Sequence, residues 1–300
     1  MKNQKILLIV CFTLFILASV LIYQPNYKNV NNIPDSELLI VAHRGFGNYA
    51  PDNSKSAVKI AIDSGMDGVD LDGQMTSDGE LVIFHDPKLD RLTNGSGPLK
   101  DKTLVELREL DMGYKFDEKY TGEKISTYEE ILQLVDGRLI VFVELKVSTV
   151  DSDGSEELAA SLIKKYNAYD WAYLSSFNPV VLWRLKNIDP KIKTMFIFKD
   201  IDVDPEILKE IHPTDSKGIP WVLRSEFCRN LMRRIIKPDM LSAEITVDKR
   251  TVRDLIKKGY PLFLWPPNNK TDIVNSLEEN PYGLITDEPE LARSLTLEQY

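Results

Sequence analysis

The chain has 300 residues, of which 43% are hydrophobic and 28% charged, so it can bury a large core and is not a disordered protein. Its net charge of −9 and sequence pI near 5.1 argue against nucleic acid as a partner. Its two cysteines, Cys11 and Cys228, exclude a disulfide-framework protein and leave the redox compartment open.

An apolar segment at residues 6–23 contains no charged residue and follows Lys2 and Lys5. Its length is at the lower edge of what crosses a bilayer as a helix, so it predicts a transmembrane anchor. The lysines predict that residues 1–5 are cytoplasmic and that the rest of the chain lies across the membrane. A cleaved signal peptide and a buried core helix are the alternatives. Residues 24–36, rich in Asn and Pro, are typical of a linker before a domain at 37–300.

From Glu37 onward, short apolar runs alternate with helical patterns, which is typical of parallel strands joined by helices. The predicted strands are residues 38–42, 68–72, 139–145, 172–177, 194–198, 240–245, 261–265 and 283–286. The predicted helices include residues 54–64, 156–166, 180–187 and 251–258. Eight such units in about 260 residues predict an α/β fold of the closed (β/α)8 TIM-barrel type. An open doubly wound sheet is the alternative, but it usually carries a glycine-rich dinucleotide turn, and this sequence has none.

The second predicted strand continues into an added hairpin at residues 74–84. Asp78-Gly79 between two alternating apolar runs is a strong signal for a two-residue loop. With that loop, His85 lies opposite Asp72 on the same face of the hairpin. A bulge or a slip in register would turn His85 to the other face.

Polar side chains follow the carboxyl ends of several predicted strands, and these ends meet at one rim of a barrel, where chemistry takes place. They are His43 and Arg44 after the first strand, Asp70 and Asp72 on the second, Glu144 and Lys146 on the third, Trp265 on the seventh and Asp287 on the eighth. The clustering at one rim indicates a functional site.

Three of these residues, Asp70, Asp72 and Glu144, are carboxylates expected to converge from two adjacent strands. Like charges this close require a balancing cation. Hard oxygen donors predict Mg²⁺ or Ca²⁺ rather than zinc. Alternatively, one or more of the three caps a helix or pairs with Lys146 or Arg44.

The remaining candidates are cations, imidazoles and one aromatic ring. Arg44 has a planar guanidinium group whose N–H donors suit a phosphate. Lys146 would either neutralise the negative charge that develops during a reaction or lie with its ammonium group in water. His43 and His85 are predicted to move protons, although a lone histidine is often structural. Trp265 forms either a wall against the apolar part of a ligand or part of the core.

Residues 37–291, with these motifs assembled, resemble the glycerophosphodiester phosphodiesterase family. The matches in chain order are His43-Arg44-Gly45 for the family's HRG, Pro51-Asp52-Asn53-Ser54 for P-E-N-T, Asp70-Leu71-Asp72 for E-x-D, Thr76 to Gly79 for T-x-D-G, His85-Asp86 for HD, Glu144-Leu145-Lys146 for E-x-K, Trp265 with Asn268 for W-x-x-N, and Ile285 to Pro289 for I-T-D-x-P. Several spaced motifs make the resemblance specific.

The resemblance implies a TIM-barrel enzyme that uses a divalent metal, Mg²⁺ or Ca²⁺, to hydrolyse glycerophosphodiesters to an alcohol and glycerol 3-phosphate. The nucleophile would be either water or the substrate's own glycerol hydroxyl. The implied roles are general acid and base for His43 and His85, metal binding for Asp70, Asp72 and Glu144, and substrate binding for Arg44, Asn53, Lys146 and Trp265. With the predicted anchor, the enzyme would be a single-pass membrane protein whose catalytic domain is extracytoplasmic.

The sequence departs from the family pattern at Asp52 and Asp70, where the family usually has Glu. Because aspartate is one methylene shorter, we expect an altered metal preference rather than loss of activity. The alternatives are a lysophospholipase D acting on membrane lysolipids, a non-catalytic barrel that binds a phosphodiester, and a membrane protein with a passive outer domain.

Residues 199–237 form a longer connection than a strand–helix unit needs. They carry Arg229, Arg233 and Arg234 interleaved with apolar residues. We expect a basic amphipathic helix here that touches lipid head groups or covers the substrate. The alternative is an ordinary barrel helix whose basic face is toward solvent.

Overall fold

A computed structural model describes residues 38–200 and 225–298. Eight parallel strands form a ring, and the pairing of β1 with both β2 and β10 closes it. The strands of the ring are β1 (Leu39–His43), β2 (Gly68–Met75), β5 (Ile140–Leu145), β6 (Ala172–Ser176), β7 (Thr194–Phe198), β8 (Met240–Glu244), β9 (Leu262–Trp265) and β10 (Gly283–Thr286). The prediction of a TIM-type barrel is confirmed, and the open sheet is excluded.

The predicted anchor at residues 6–23, with the segments at 1–5 and 24–36, lies outside the described residues. Within the two described ranges, no helix is both long enough and apolar enough to cross a membrane.

Helices alternate with the strands, and side-chain caps fix where several of them begin. They are α1 (Lys55–Asp63), α2 (Leu104–Arg108), α3 (Tyr128–Val135), α4 (Ser155–Lys165), α5 (Pro179–Ile188), α6 (Glu226–Ile236), α7 (Lys249–Lys257), α8 (Lys270–Leu277) and α9 (Pro289–Glu298). Ser54 Oγ accepts a hydrogen bond from the backbone N–H of Ala57 at the start of α1. Thr127 and Glu130 form a capping box at the start of α3.

The barrel interior is filled by one apolar layer, which supports the polar groups above it. Its buried members are Leu39, Val41, Phe142, Tyr173, Met195, Met240, Phe263 and Ile285. The packing is tight enough that a Cβ at Gly283 would lie 2.5 Å from the Phe263 ring. Since strand side chains alternate, the next inward residues toward the carboxyl ends form the mouth of the barrel.

The added hairpin pairs β3 (Leu81–Ile83) antiparallel to β2, with Gly73 opposite Ile83 and Met75 opposite Leu81. The loop therefore contains three residues, 77–79, and the predicted two-residue loop with its register is wrong. Thr76 Oγ1 explains the difference, because it accepts from the backbone N–H of Glu80 and donates to Asp78, while Gly79 takes a positive φ of 84°.

Strand β4 (Ser126–Thr127) pairs with β3, and the segment between these two strands folds over a separate small core. The buried residues of this core are Val82, Phe84, Leu89, Leu99, Leu107, Met112 and Ile125. The insertion therefore packs around an apolar core of its own.

Helix α6 occupies the end of the connection that was predicted to carry a basic face. Two of its arginines point inward: Arg229 is 2% exposed and Arg233 is fully buried, with both guanidinium groups near the Phe198 ring. Glu226 pairs with both of them. The expectation that these arginines face lipid or solvent is wrong, because the acidic partner and the aromatic ring stabilise them inside.

Candidate active site

His43 ends β1 at the barrel mouth and is held by a carboxylate from the last strand connection. Its Nδ1 lies 2.7 Å from Oδ1 of Asp287, which follows β10. Asn268 donates to the other carboxylate oxygen at 2.5 Å and accepts from the Asp287 backbone N–H. Burial lowers the pKa of His43, but the hydrogen bond and the charge of Asp287 outweigh burial and raise this pKa above its ordinary value.

The loop after β1 adopts strained backbone conformations that position two neighbouring side chains. Arg44 and Asn53 are non-glycine residues with φ of 52° and 63°. Arg44 Nη1 pairs with Asp52 at 3.0 Å. The fully buried Asn53 donates from Nδ2 to Asp72 Oδ2 and accepts from the Asp72 backbone N–H, both at 2.9 Å. Asn53 therefore positions Asp72.

The three predicted metal-binding carboxylates lie on the side of the mouth that holds the ammonium group of Lys146. Lys146 Nζ lies 3.0 Å from Asp72 Oδ1 and 3.1 Å from Glu144 Oε2, so it bridges two of the three carboxylates. Asp70 Oδ1 is buried and has no hydrogen-bond partner. The structure thus brings Asp70, Asp72, Glu144 and Lys146 together, as predicted for the rim.

The three carboxyl groups have different proton affinities. Burial raises the pKa of Asp70 to about 7; His43 opposes this rise, and Asp72 and Glu144 add to it. Burial also raises the pKa of Glu144, with Lys146 acting against it. For Asp72, burial is outweighed by Lys146, His85 and Arg44, so its pKa is lowered. Of these three carboxyl groups, Asp72 beside Lys146 therefore holds its negative charge most strongly.

No three His, Cys, Asp or Glu side chains are arranged to hold a metal ion anywhere in residues 38–200 and 225–298. The ammonium group of Lys146 lies between Asp72 and Glu144, so these two predicted ligands pair with a lysine and do not face a common metal position. Metal binding by Asp70, Asp72 and Glu144 therefore stays a prediction.

His85 reaches the mouth although the hairpin register differs from the predicted one. Strand β3 ends at Ile83, and the side-chain amide of Gln74 then donates to the backbone carbonyls of Phe84, His85 and Asp86 at 2.7, 3.1 and 2.9 Å. This hydrogen bonding turns the segment so that His85 lies near Asp72.

A second histidine–carboxylate pair results. His85 Nδ1 lies 2.7 Å from Asp86 Oδ1, and Arg91 binds both oxygens of Asp86. Burial raises the pKa of Asp86, but its hydrogen bonds from Arg91 and His85 outweigh burial and lower it. Asp86 therefore stays charged and orients the imidazole.

Trp265 packs against the apolar layer at the end of β9, and its ring meets Phe177 edge to face with 5.8 Å between centroids. Its Nε1 is buried without a hydrogen-bond partner. The side chain thus contributes both to the core and to the wall of the mouth.

Sequence reasoning gave no role to three residues that orient the histidines: Gln74, Asp86 and Asp287. The signal for the last two was present, because each lies in a motif quoted above. The role of Gln74 depends on the true hairpin register, which the local sequence did not reveal.

Comparisons with known proteins identify the family to which this chain is similar. The model of the glycerophosphoryl diester phosphodiesterase family matches residues 43–291. A glycerophosphodiester phosphodiesterase of Caldanaerobacter subterraneus is 34% identical over 259 residues, covering 84% of this chain and 95% of the relative. One from Bacillus altitudinis is 32% identical over 256 residues, covering 84% and 96%.

A solved structure shares the fold. It is an Oleispira antarctica phosphodiesterase in complex with the product sn-glycerol-3-phosphate, with a TM-score of 0.67 and 23% identity, covering 85% of this chain and 95% of that one. The chain therefore belongs to the glycerophosphoryl diester phosphodiesterase family, whose members are phosphoric diester hydrolases.

Proposed function

We propose that the chain hydrolyses glycerophosphodiesters to an alcohol and glycerol 3-phosphate by histidine acid–base catalysis with a divalent metal. The observation that carries the proposal is a pair of imidazoles, His43 and His85, each bound through Nδ1 to a carboxylate beside the cations of one barrel mouth. The names of the relatives and the product held by the Oleispira antarctica enzyme support the choice of substrate.

The two histidines have the orientation that proton transfer needs. When Nδ1–H donates to a carboxylate, Nε2 is the nitrogen that exchanges a proton with the substrate. One imidazole takes the proton of the nucleophile, and the other gives a proton to the leaving alkoxide. Asp287 and Asp86 hold the two imidazole rings in this orientation.

Arg44 and Lys146 are the groups that would bind the phosphate. Arg44 Nε is buried without a hydrogen-bond partner, although Nη1 is engaged by Asp52. A phosphate oxygen would satisfy that donor. Lys146, 18% exposed at its side chain, supplies the second positive charge.

Asp70, Asp72 and Glu144 would hold the divalent cation. The unpartnered Oδ1 of Asp70 and the all-oxygen donor set fit Mg²⁺ or Ca²⁺. The bound ion would polarise the phosphoryl group and stabilise its developing charge. Asp72 and Glu144, which pair with Lys146 in this structure, would then bind the cation. The Lys146 ammonium group would bind the phosphate.

Turnover of glycerophosphocholine by the full chain tests the proposal. We expect glycerol 3-phosphate to be released, the reaction to stop in EDTA, and Mg²⁺ or Ca²⁺ to restore it. Undiminished turnover in EDTA would contradict metal dependence, and absence of turnover under all three conditions would contradict the proposed reaction.

We also propose that residues 6–23 anchor the enzyme in a membrane. Extraction of cell membranes with alkaline carbonate tests this: the full chain should stay with the lipid, and a chain lacking residues 1–36 should be released. Release of both chains would contradict the anchor.

A further inference from the structure

The half of the barrel mouth opposite the histidines carries a cation besides Arg44 and Lys146. Lys199 directly follows β7, is only 7% exposed, and has its Nζ 5.8 Å from the centroid of the Phe177 ring. Phe177 in turn contacts Trp265 edge to face. We call Phe177, Lys199 and Trp265 the far wall of the mouth.

Strand register places Glu244 beside this lysine, yet the two do not pair. Phe198 lies opposite Ala243 and Glu244 opposite Trp265, so Lys199 and Glu244 follow each other around the rim. The Glu244 carboxylate instead accepts a hydrogen bond from Thr246 Oγ1 at 2.7 Å. Among the described residues, the Lys199 ammonium group has no ion pair and no hydrogen bond; its contact is the aromatic ring.

Other hydrogen-bond donors near the far wall also lack acceptors. Trp265 Nε1 is buried and unpartnered. The hydroxyl of Ser175 is also buried and unpartnered, and it lies on β6 next to Glu144 in register. An indole N–H and an ammonium group can only donate. Within residues 38–200 and 225–298 these donors therefore have no acceptor, and a bound ligand could supply one.

The positive charge narrows the choice of ligand. Burying an ammonium group without a counter-charge costs free energy, and neutral hydroxyls do not balance that charge. An anionic group beside Phe177 and Trp265 would balance the charge and accept from the free indole N–H.

We propose that the far wall binds a carboxylate or phosphate carried by the alcohol half of the substrate, so that the enzyme prefers glycerophosphodiesters of anionic alcohols. This inference rests on the proposed function. The scissile phosphate would lie at Arg44 and Lys146, and one alcohol would extend across the mouth toward β6–β9. The glycerol half is neutral, so the other alcohol brings the balancing charge.

Two substrates that differ by one carboxylate test the inference: glycerophosphoserine and glycerophosphoethanolamine. We expect the wild-type kcat/KM to be about tenfold higher for the serine diester, the scale of one charged hydrogen bond. Lys199→Met should bring that ratio to about one, because it keeps the chain length and removes the charge. Lys199→Arg should retain the preference. Lys191→Met, at the opposite end of the barrel before β7, is the matched control and should not change the ratio.

A second pair of substrates separates the two anion sources. Glycerophosphoglycerol with and without a terminal phosphate reports on phosphate, whereas the serine pair reports on carboxylate. A preference for the charged member of either pair that Lys199→Met removes supports the far wall as an anion site.

Different results would contradict the inference and the proposed function. A wild-type ratio of one in both pairs, or a preference that Lys199→Met leaves intact, would overturn the inference while the proposed function stands. Absence of turnover of all four diesters would instead contradict the proposed function. If Lys199→Met fails to fold by circular dichroism, the wild-type ratios and the Lys199→Arg variant still decide.

Discussion

Replacing Asp287 by Asn tests how the first histidine is oriented. Asn268 donates to Asp287 Oδ2 and thereby requires an acceptor at that position. An asparagine at 287 would keep its oxygen there and present its amide N–H₂ to His43. The imidazole would then accept at Nδ1 and carry its proton on Nε2, which is the wrong tautomer for a base.

The expected cost follows from this geometry. The 2.7 Å contact between His43 and Asp287 is a charge-assisted hydrogen bond in a largely buried site. Losing it and reversing the tautomer should lower kcat by about 10³-fold, within the range for general acid–base catalysis. Because Asp287 raises the pKa of His43 against the effect of burial, the variant should lower that pKa. The limb of the pH profile due to His43 should therefore move to lower pH, whether His43 acts as acid or base.

Steady-state rates across pH on glycerophosphocholine measure both effects, with circular dichroism as the check on folding. Asp63→Asn is the control, because it removes an exposed carboxylate that pairs with Lys59 on α1 and should leave the profile unchanged. A variant Asp287→Asn within threefold of the wild-type kcat, or a limb moved to higher pH, would refute the reasoning.

Three further predictions concern the lysine proposed to bind the phosphate, one carboxylate proposed to bind the metal, and the buried ion pairs of α6. Lys146→Met should lower kcat/KM by about 10²-fold, since it removes the charge that would meet the phosphate; a loss below fivefold contradicts that role. Asp70→Glu restores the longer acid of the family pattern and should change the ratio of Mg²⁺- to Ca²⁺-supported rates; an unchanged ratio means the shorter side chain is irrelevant. Glu226→Gln should lower the free energy of unfolding in urea by about 2 kcal/mol, because Arg233 loses its carboxylate partner while Arg229 keeps Asp200; an unchanged midpoint contradicts this.

Local patterns predicted the barrel well because each unit is short and self-contained. Strands β7 and β10 have the predicted bounds, and Ser54, predicted as the first residue of a helix, is the N-cap of α1. Strands β1 and β9 are almost continuous apolar runs, and such runs mark buried strands in the sequence.

The loop length and register of the hairpin could not be predicted from the local sequence. Asp78-Gly79 favours a two-residue loop, but the Thr76 hydroxyl stabilises a three-residue loop and shifts every cross-strand partner by one. His85 still reaches the site because Gln74 holds the carbonyls after β3. A side chain acting on a distant backbone cannot be read from the pattern of neighbouring residues.

The wrong prediction for the two buried arginines of α6 has a related cause. A helical plot places Arg229 and Arg233 on a polar stripe, which predicts exposure. Their burial depends on Glu226 and on the ring of Phe198 from a neighbouring strand. A tertiary partner such as the Phe198 ring becomes visible only in the folded chain.

The central claim is that two carboxylate-bound imidazoles at one mouth carry the proton transfers. The most direct measurement is glycerol 3-phosphate release from glycerophosphocholine by His43→Ala and His85→Ala, each compared with wild type at equal folded concentration. We predict that each variant loses at least about 10³-fold in kcat while its thermal transition stays cooperative. Near-normal turnover by either variant would contradict the claim.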